Sequence, residues 1–445
     1  MGCSSRCSGI LLLRLAGVSP LDDHRTESQT YDLIAPLNKG IGYLDHSVKQ
    51  SAAGALGWNL LREDLSLPAA VLYDDKIQHN LRWMRRFIDT YGVRLAPHGK
   101  TSMAPRLFQM QLEAGAWGIT LATAHQTRVA YEHGVRRVLL ANQLIGKSNM
   151  QLVSHLLCDP QFEFYCLVDS AAQIDQLGAF FSAAAQRLNV LVELGVMGGR
   201  AGVRDDLQLQ SVLDALARWS GVIDLCGVEI YEGVLADEAS IRAFLRHAVA
   251  VTRQLASAHR FQRSPVLLSG AGSAWYDVVA EEFCSAKFEC AVEIVLRPGC
   301  YITHDIGAYR AAQKRILANN PVAHDMREGL LPALHVWAYV QSIPEAKRAI
   351  IGMGRRDVAF DSGLPVPALH YRPGSSAPMP APVHWSVSKL MDQHAYLQFA
   401  PADDLLVGDM IGFDIAHPCL TFDKWRVLPL LNAEFDVIDL VQTYF

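Results

Sequence analysis

The sequence lacks the features that mark secreted, membrane-spanning or nucleic-acid-binding proteins. Its 445 residues contain nine cysteines, an odd number without a CxxC pair, which favours reduced intracellular thiols over a disulfide framework. No apolar run approaches the roughly 18 residues of a membrane span. The formal net charge of −5 provides no basic field for nucleic acid or anionic lipid. We therefore expect a cytoplasmic protein with a small-molecule partner and no nucleic-acid or membrane partner.

The first residues carry no convincing targeting signal. The apolar stretch in MGCSSRCSGILLLRLAGVSP is too short for a secretory core and lacks a small-residue cleavage site. Arg6 stands where the myristoylation pattern needs Ser or Thr. We expect residues 1 to about 30 to form a poorly ordered leader.

The middle of the chain alternates short β-branched runs with longer amphipathic ones, which predicts repeated βα units. The predicted strands are Val93–Ala96, Trp117–Leu121, Arg137–Ala141, Phe162–Val168, Asn189–Leu194, Val222–Ile230, Pro265–Ser269 and Ala291–Leu296. Eight such units close a (β/α)₈ barrel. The competing fold is an open doubly wound sheet, but no GxGxxG follows a first strand, so the barrel is favoured.

The last quarter of the chain has a different pattern. Runs such as HWSVSKLMDQHAYLQF and FDVIDLVQTYF alternate in polarity and are separated by Pro and Gly, which predicts a β-rich domain. We expect an N-terminal extension at 1–65, the barrel at 66–320 and the β domain at 321–445. The run LPAAVLYDDKIQHNLRWMRRFI predicts a strand and a helix that lead into the barrel. The Pro-rich segment 364–382 is expected to be an exposed loop.

Unusual polar residues follow the predicted strands, where a (β/α)₈ barrel has its active site. Lys100 in PHGKTSMAP follows the first strand, and SGAGS follows the seventh. A desolvated lysine has a lowered pKa and can attack an aldehyde, although a lone loop lysine is more often a surface residue. SGAGS before a helix is either a phosphate-binding turn or a plain tight turn.

These motifs carry a resemblance to a known family. RLAPHGKTSMAP, AGAWGITLATAHQ and VLLANQLIG resemble the barrel of the fold-type III pyridoxal-phosphate enzymes, the alanine racemase-like group. More narrowly, they resemble the branch of D-serine dehydratase and D-threonine aldolase, and within it the bacterial D-serine deaminase-like proteins, also called amino acid deaminases. HPCLTFDKWR resembles the metal-bearing C-terminal segment of that branch. The resemblance implies an α/β protein, a pyridoxal-phosphate-binding (β/α)₈ barrel with a C-terminal β-rich domain, which forms a homodimer.

The resemblance also implies the cofactor-binding residues. Lys100 would hold pyridoxal 5'-phosphate as a Schiff base and act as the catalytic residue. The other cofactor-binding residues would be Arg200, Tyr231, Gly272, Ser273 and Arg297. Tyr231 and Arg297 would contact the pyridine ring, Gly272 and Ser273 the phosphate, and Arg200 a cofactor oxygen or the substrate carboxylate. Because a guanidinium stays charged, Arg297 beside the ring nitrogen would keep the ring neutral.

His417 and Cys419 are the candidate metal ligands. In an extended segment alternate residues point to the same side, so imidazole and thiolate would converge on one ion. Both suit zinc, with another divalent metal possible. Without the resemblance, a buried cysteine beside a satisfied histidine would be the better interpretation. The resemblance implies that aldolases of this branch typically have Asp in the place of Cys419, so the cysteine favours a dehydratase.

We therefore expect a pyridoxal-phosphate-dependent lyase of the D-serine ammonia-lyase type, which converts a D-3-hydroxy amino acid to a 2-oxo acid and ammonia. Lys100 would remove the Cα proton, and zinc would act as a Lewis acid on the β-hydroxyl. The alternative is a metal-dependent D-threonine aldolase that yields glycine and an aldehyde. A racemase would need a second base on the opposite face, and a non-catalytic cofactor carrier would lack the second domain. The preferred hydroxy amino acid is left open.

Overall fold

The computed structural model describes residues 33–445, so the expected leader at residues 1–30 lies outside the described residues. The described chain begins with two short antiparallel strands, β1 (Leu33–Ile34) and β2 (Val48–Lys49). Strand β3 (Ala69–Tyr73) is buried at every position and leads directly into helix α1 (Asp74–Tyr91). Across residues 33–445, no helix has both the length and the apolar character needed to cross a bilayer.

Within the described residues, eight parallel strands form a sheet that closes on itself. They are β4 (Arg94–Leu95), β5 (Ile119–Leu121), β6 (Arg137–Gln143), β7 (Glu163–Val168), β8 (Leu188–Leu194), β9 (Ile223–Ile230), β10 (Val266–Gly270) and β11 (Val292–Leu296). The barrel closes between β4 and β5, where the N–H of Trp117 donates to the carbonyl of Leu95 at 2.7 Å. The predicted strands and the (β/α)₈ barrel are confirmed.

Helices connect successive barrel strands and cover the outside of the barrel. They are α2 (Pro105–Glu113), α3 (Ala124–Glu132), α4 (Lys147–Leu156), α5 (Ala171–Ala183), α6 (Asp206–Arg218), α7 (Glu238–Ser257) and α8 (Tyr276–Ser285). Side chains of Thr123, Ser170, Asp205 and Asp237 cap the first turns of α3, α5, α6 and α7. Each cap satisfies a backbone N–H group that has no partner within the first turn of its helix.

The barrel strands place charged groups inside the protein. Every residue of β8 and β9 is buried, because one face of each strand lines the barrel and the other packs under the helices. Glu193 of β8 and Glu229 of β9 nevertheless lie among these apolar residues. Burying a carboxylate costs free energy unless it is paired, so these two positions indicate a binding site.

A β-rich unit follows the barrel and two helices, α9 (Ala308–Asn319) and α10 (Pro321–Met326). Its strands are β12 (Leu334–Glu345), β13 (Arg348–Ile351), β14 (Val366–Tyr371), β15 (Met379–Pro380), β16 (Ser386–Leu390), β17 (Ala395–Gln398), β18 (Met410–Asp414), β19 (Val427–Leu431) and β20 (Val437–Gln442). The short helix α11 (Cys419–Phe422) lies between β18 and β19. The predicted C-terminal β-rich domain is thus confirmed as part of the fold.

The expectation that residues 364–382 form an exposed loop was wrong. The segment contains β14 and β15, and β14 pairs with β18. Pro367 lies beside a register shift in the β14–β18 pair, where a missing N–H is tolerated. Proline content alone therefore gave the wrong prediction here.

Strand β3 joins the C-terminal sheet although it precedes the barrel in the chain. It pairs antiparallel with β12 and parallel with β19, so that Leu72 lies opposite both Leu334 and Leu430. The chain therefore passes through the β-rich unit before it enters the barrel, and this fixes the β-rich unit to helix α1. The limits 1–65, 66–320 and 321–445 stay a prediction.

Candidate active site at the barrel mouth

Lys100 follows β4 by five residues, in a single turn of helix formed by Gly99–Thr101. Gly99 is required there, because a Cβ would lie 2.7 Å from the Phe108 ring. The lysine side chain is exposed by surface area, yet enough protein surrounds its amine that desolvation lowers its pKa from the usual value. Cys419 opposes this shift and Arg200 adds to it. An amine with a lowered pKa is more often uncharged and therefore a better nucleophile and base.

Arg297 and Glu229 form a buried ion pair at the carboxyl end of the barrel. The Arg297 guanidinium donates to the Glu229 carboxylate, and also to the carbonyl of Ile230 at 2.8 Å. In the described part of the chain, Arg297 Nε and Glu229 Oε2 have no hydrogen-bond partner. Burial raises the pKa of Glu229 to about 8 against the opposing effect of Arg297. A buried N–H without an acceptor is costly, so Arg297 Nε is suited to a ligand that accepts a hydrogen bond.

Arg200 and Tyr231 lie together on the loops after β8 and β9. The Arg200 guanidinium carbon is 4.9 Å from the centre of the Tyr231 ring, a cation–π contact. Gly272 lies next to the same ring, since a Cβ there would be 3.2 Å from Tyr231 Cε2. Burial raises the pKa of the Tyr231 hydroxyl, so it stays protonated at neutral pH. The structure thus brings together three predicted site residues, Arg200, Tyr231 and Gly272, which follow β8, β9 and β10.

The SGAGS turn after β10 has two different sets of partners. The N–H groups of Ala271 and Gly272 donate to the Glu232 carboxylate at 3.1 and 2.6 Å. Ser273 Oγ instead accepts from the N–H groups of Gly299 and Cys300 at 3.2 and 3.1 Å. Ser273 therefore joins this turn to the turn after β11, whereas the Gly272 N–H is held by a carboxylate that the sequence did not indicate.

His417 and Cys419 come together, but not in the predicted way. Pro418 between them has helical angles, φ −59° and ψ −46°, and Cys419 begins helix α11. The expectation of an extended segment with alternating side chains was therefore wrong. The turn nevertheless brings the two side chains into hydrogen-bonding contact. On its other side, His417 Nδ1 donates to Asp361 Oδ2 at 2.8 Å, which leaves Nε2 to face the cysteine.

The Cys419 thiol lies against the turn Gly99–Thr101, which carries Lys100 and is called the lysine turn below. Its Sγ is 3.5 Å from Thr101 Oγ1 and 3.7 Å from Cys300 Sγ. The hydrogen bond from Cys300, together with His417, lowers the pKa of Cys419 to about 4. The hydrogen bond between His417 and Cys419, helped by Asp361, raises the pKa of His417 to about 9. Both shifts favour proton transfer from the thiol to the imidazole, and so favour a thiolate at Cys419.

Sequence reasoning missed several residues of this site. Glu229 and Glu232 lie in DLCGVEIYEG, and a carboxylate within such an apolar strand was a usable signal. Cys300 stood within the motif RPGCY, but nothing local indicated its distant partner Cys419. Asp361 is 56 residues before His417 in the chain, and no local pattern marked it.

Two family models match the two parts of this fold. The alanine racemase N-terminal domain matches residues 73–291, and the putative serine dehydratase domain matches residues 333–431. Together they cover both the barrel with Lys100 and the segment with His417 and Cys419.

Two curated relatives are similar in sequence to this chain over more than half of its length. D-threonine aldolase of Arthrobacter sp is 28% identical over 312 residues, which is 69% of this chain and 76% of that protein. D-threo-3-hydroxyaspartate dehydratase of Delftia sp. (strain HT23) is 28% identical over 250 residues, 54% of this chain and 62% of that protein.

Solved structures share the fold. D-threonine aldolase from Filomicrobium marinum has a TM-score of 0.70 at 23% identity, covering 87% of this chain and 97% of that one. A Cys→Ala variant of D-threo-3-hydroxyaspartate dehydratase in the metal-free form has a TM-score of 0.66 at 22% identity, covering 87% and 99%. A His→Ala variant, two positions from that cysteine, is also among the solved forms.

Proposed function

Since this chain belongs to the fold-type III pyridoxal-phosphate enzymes, in the branch of D-serine dehydratase and D-threonine aldolase, we propose that it is a zinc-dependent dehydratase. Its substrate would be a D-3-hydroxy amino acid of the D-serine type, and its products a 2-oxo acid and ammonia. The observation that carries this proposal is the 3.5 Å contact between Thr101 Oγ1 and Cys419 Sγ. It joins the lysine turn of the barrel to the candidate metal ligands of the second unit.

The residues at the barrel mouth fit pyridoxal phosphate. Arg297 Nε is a buried donor without a partner among the described residues, which suits an unprotonated ring nitrogen. The amine of Lys100 has the lowered pKa that covalent attachment to an aldehyde requires. Ser273 Oγ accepts from the N–H groups of Gly299 and Cys300, which leaves its O–H to donate to a phosphate oxygen. When bound, this cofactor supplies an electron sink for charge that develops at Cα.

The donor pair of the second unit fits zinc. Imidazole and thiolate are both zinc ligands, and the low pKa of Cys419 already favours the thiolate that binds metal. Asp361 holds the His417 ring by Nδ1, the arrangement that orients metal-binding histidines. Within residues 33–445, no three histidine, cysteine or carboxylate side chains already form a complete metal site. When bound, zinc supplies a Lewis acid for the hydroxyl that leaves.

The side chains divide the proton transfers between them. Lys100 accepts the Cα proton at Nζ, because desolvation keeps part of its population uncharged. Arg200 stands beside Tyr231 as a fixed positive charge, suited to the substrate carboxylate. Tyr231 stays protonated because burial raises its pKa, so it donates a hydrogen bond rather than acting as a base. A racemase would need a second base, and Tyr231 is poorly suited to that role.

We propose a dehydratase rather than an aldolase because this chain has a cysteine, Cys419, as its second candidate metal ligand. The dehydratase with solved His→Ala and Cys→Ala variants has the same two-residue spacing of histidine and cysteine as His417 and Cys419, and its Cys→Ala variant is described as metal-free. The aldolase remains the second candidate, since the Arthrobacter relative is a D-threonine aldolase. A homodimer is proposed from the family resemblance, and light scattering of the purified protein would test it.

One set of incubations tests the proposal. The purified protein is given D- and L-serine, D-threonine and D-3-hydroxyaspartate with and without zinc, and keto acid plus ammonia is compared with glycine plus aldehyde. We expect keto acid from a D substrate, loss of activity after chelation, and loss of both activity and the visible cofactor band in Lys100→Ala. Lys147→Ala, an exposed lysine on α4, serves as the control. Glycine and aldehyde as products would favour the aldolase, and full activity in Lys100→Ala would reject the site.

A further inference from the structure

We propose that Cys300 is a third protein ligand of the metal ion, so that the site consists of one imidazole and two thiolates. This inference rests on the proposed function, which assigns the ion to His417 and Cys419. It adds a residue from the barrel to two ligands from the β-rich unit. Cys300 lies in the turn Cys300–Ile302 after β11, and Cys419 lies 119 residues later in the chain.

The separation of the two sulfur atoms fits a shared ion. Cys300 Sγ and Cys419 Sγ are 3.7 Å apart. Around a tetrahedral zinc ion with Zn–S bonds of about 2.3 Å, two sulfur ligands are about 3.8 Å apart. A hydrogen bond between a thiol and a thiolate gives a similar separation, and counting the sulfur neighbours of bound zinc distinguishes the two arrangements.

The surroundings of Cys300 differ from those of a cysteine that only fills the core. Its side chain is 3% exposed, yet its Sγ contacts polar groups: Cys419 Sγ, the Thr101 hydroxyl at 3.7 Å and the Tyr309 hydroxyl. Cys166, by comparison, is buried within the apolar core. A buried sulfur among polar groups suits a ligand better than a packing residue.

The backbone holds the Cys300 sulfur in place. The N–H of Cys300 donates to Ser273 Oγ at 3.1 Å, and the N–H of Gly299 donates to the same atom. A Cβ at Gly299 would lie 2.5 Å from the carbonyl of His98, so the turn is packed against the lysine turn. A ligand on such a rigid turn loses little conformational entropy when it binds an ion.

Three protein ligands leave one tetrahedral position open. One histidine and two cysteines with an open fourth position is a donor set found in catalytic zinc sites. The open position would take the substrate hydroxyl. Two thiolates also select zinc over magnesium or manganese, which prefer oxygen ligands. Among residues 33–445 no three such side chains are already placed to hold an ion, so binding by these three requires a side-chain rotation.

X-ray absorption at the zinc edge tests this on the unaltered zinc-loaded, full-length protein, kept under a phosphine reductant. We expect two sulfur neighbours per zinc at about 2.3 Å. A single sulfur neighbour would overturn the third ligand and leave His417 and Cys419 as the ligand pair. No sulfur neighbour, or no retained zinc, would overturn both this inference and the metal part of the proposed function.

Cobalt substitution gives a second readout that does not depend on activity. We expect Cys300→Ser and Cys419→Ser each to lose about half of the sulfur-to-cobalt charge-transfer absorbance per bound ion. Each should also weaken zinc binding, measured by chelator competition, by at least about 100-fold, more than loss of an outer hydrogen bond does. Cys284→Ser is the matched control, because Cys284 is an exposed thiol near Tyr91.

The two proposals fail in different ways. If Cys419→Ser loses absorbance and affinity while Cys300→Ser retains both, the third ligand is wrong and the proposed function stands. If Cys419→Ser also retains both, the metal site itself is wrong. If Cys300→Ser does not fold, the sulfur count on the unaltered protein still decides.

Discussion

The Asp361 carboxylate accepts a hydrogen bond from His417 Nδ1 at 2.8 Å, on the side of the ring that faces away from Cys419. The bond fixes the tautomer and the orientation of the imidazole, so that Nε2 points toward the thiolate. The contact connects the β13–β14 loop to the segment between β18 and α11, 56 residues later in the chain.

Replacing Asp361 should weaken metal binding without removing a ligand. We expect Asp361→Ala to raise the zinc dissociation constant by about 10- to 100-fold, because the imidazole loses its orienting acceptor. Chelator competition measures this change. Asp403→Ala is the matched control, since Asp403 accepts from His384 at 2.7 Å in an exposed pair. Equal effects of the two variants would contradict the role of Asp361.

The buried pair of Arg297 and Glu229 should be sensitive to loss of one partner. Above pH 8, where Glu229 is ionised beside Arg297, Arg297→Met leaves a buried carboxyl group without its charge partner, and we expect a loss of about 3–5 kcal/mol in the free energy of unfolding there. The double variant with Glu229→Gln should recover part of that loss. Urea unfolding of the cofactor-free protein measures both. Arg85→Ala, which breaks the exposed pair with Asp89, should cost less than about 1 kcal/mol.

Ser273 should matter for cofactor affinity. Its hydroxyl accepts two backbone N–H groups from the turn after β11. We expect Ser273→Ala to raise the dissociation constant of pyridoxal phosphate about tenfold, the equivalent of one to two lost hydrogen bonds. Equilibrium dialysis provides the measurement, with Ser257→Ala on the exposed face of α7 as the control. An unchanged affinity would remove Ser273 from the phosphate site.

His304 should make the protein less stable in acid. Burial lowers its pKa from 6.5 to about 4, so the folded protein keeps the ring neutral where the unfolded chain protonates it. The free energy of unfolding is unaffected by this ring above pH 6.5. It falls by about 3 kcal/mol as the pH drops to 4, because the unfolded chain then binds a proton that the folded protein does not. Unfolding free energies between pH 7 and 4 should show a shallower decline in His304→Asn.

Asparagine is the suitable replacement, because residue 304 has a φ of 50° and asparagine tolerates that region. His155→Asn, an exposed histidine at the end of α4, should leave the decline unchanged. If both variants decline as steeply as the original protein, another group causes the acid sensitivity.

The barrel was predictable because its signal is local and repeated. Each buried parallel strand is a short β-branched run, and each helix has apolar residues at a regular spacing. The position of Lys100 after the first strand followed from the same pattern. The family resemblance then indicated the cofactor, which composition and periodicity did not.

Other features depended on contacts between distant segments. β3 pairs with β12 and β19, and its sequence resembles that of any buried strand. The turn at Pro418 replaced the expected extended segment, since a helical turn there allows Cys419 to begin α11. Glu232 binds the N–H groups of SGAGS because two loops meet at the barrel mouth.

The sequence by itself determined the type and order of the elements and the presence of a lysine, a phosphate-suited turn and a His–Cys pair at strand or segment ends. Only the tertiary structure decided which of these side chains meet. Cys300 and Cys419 are adjacent because the β-rich unit packs against the barrel mouth. Hydrophobic periodicity encodes which face of a segment is buried, but not which distant segment covers it.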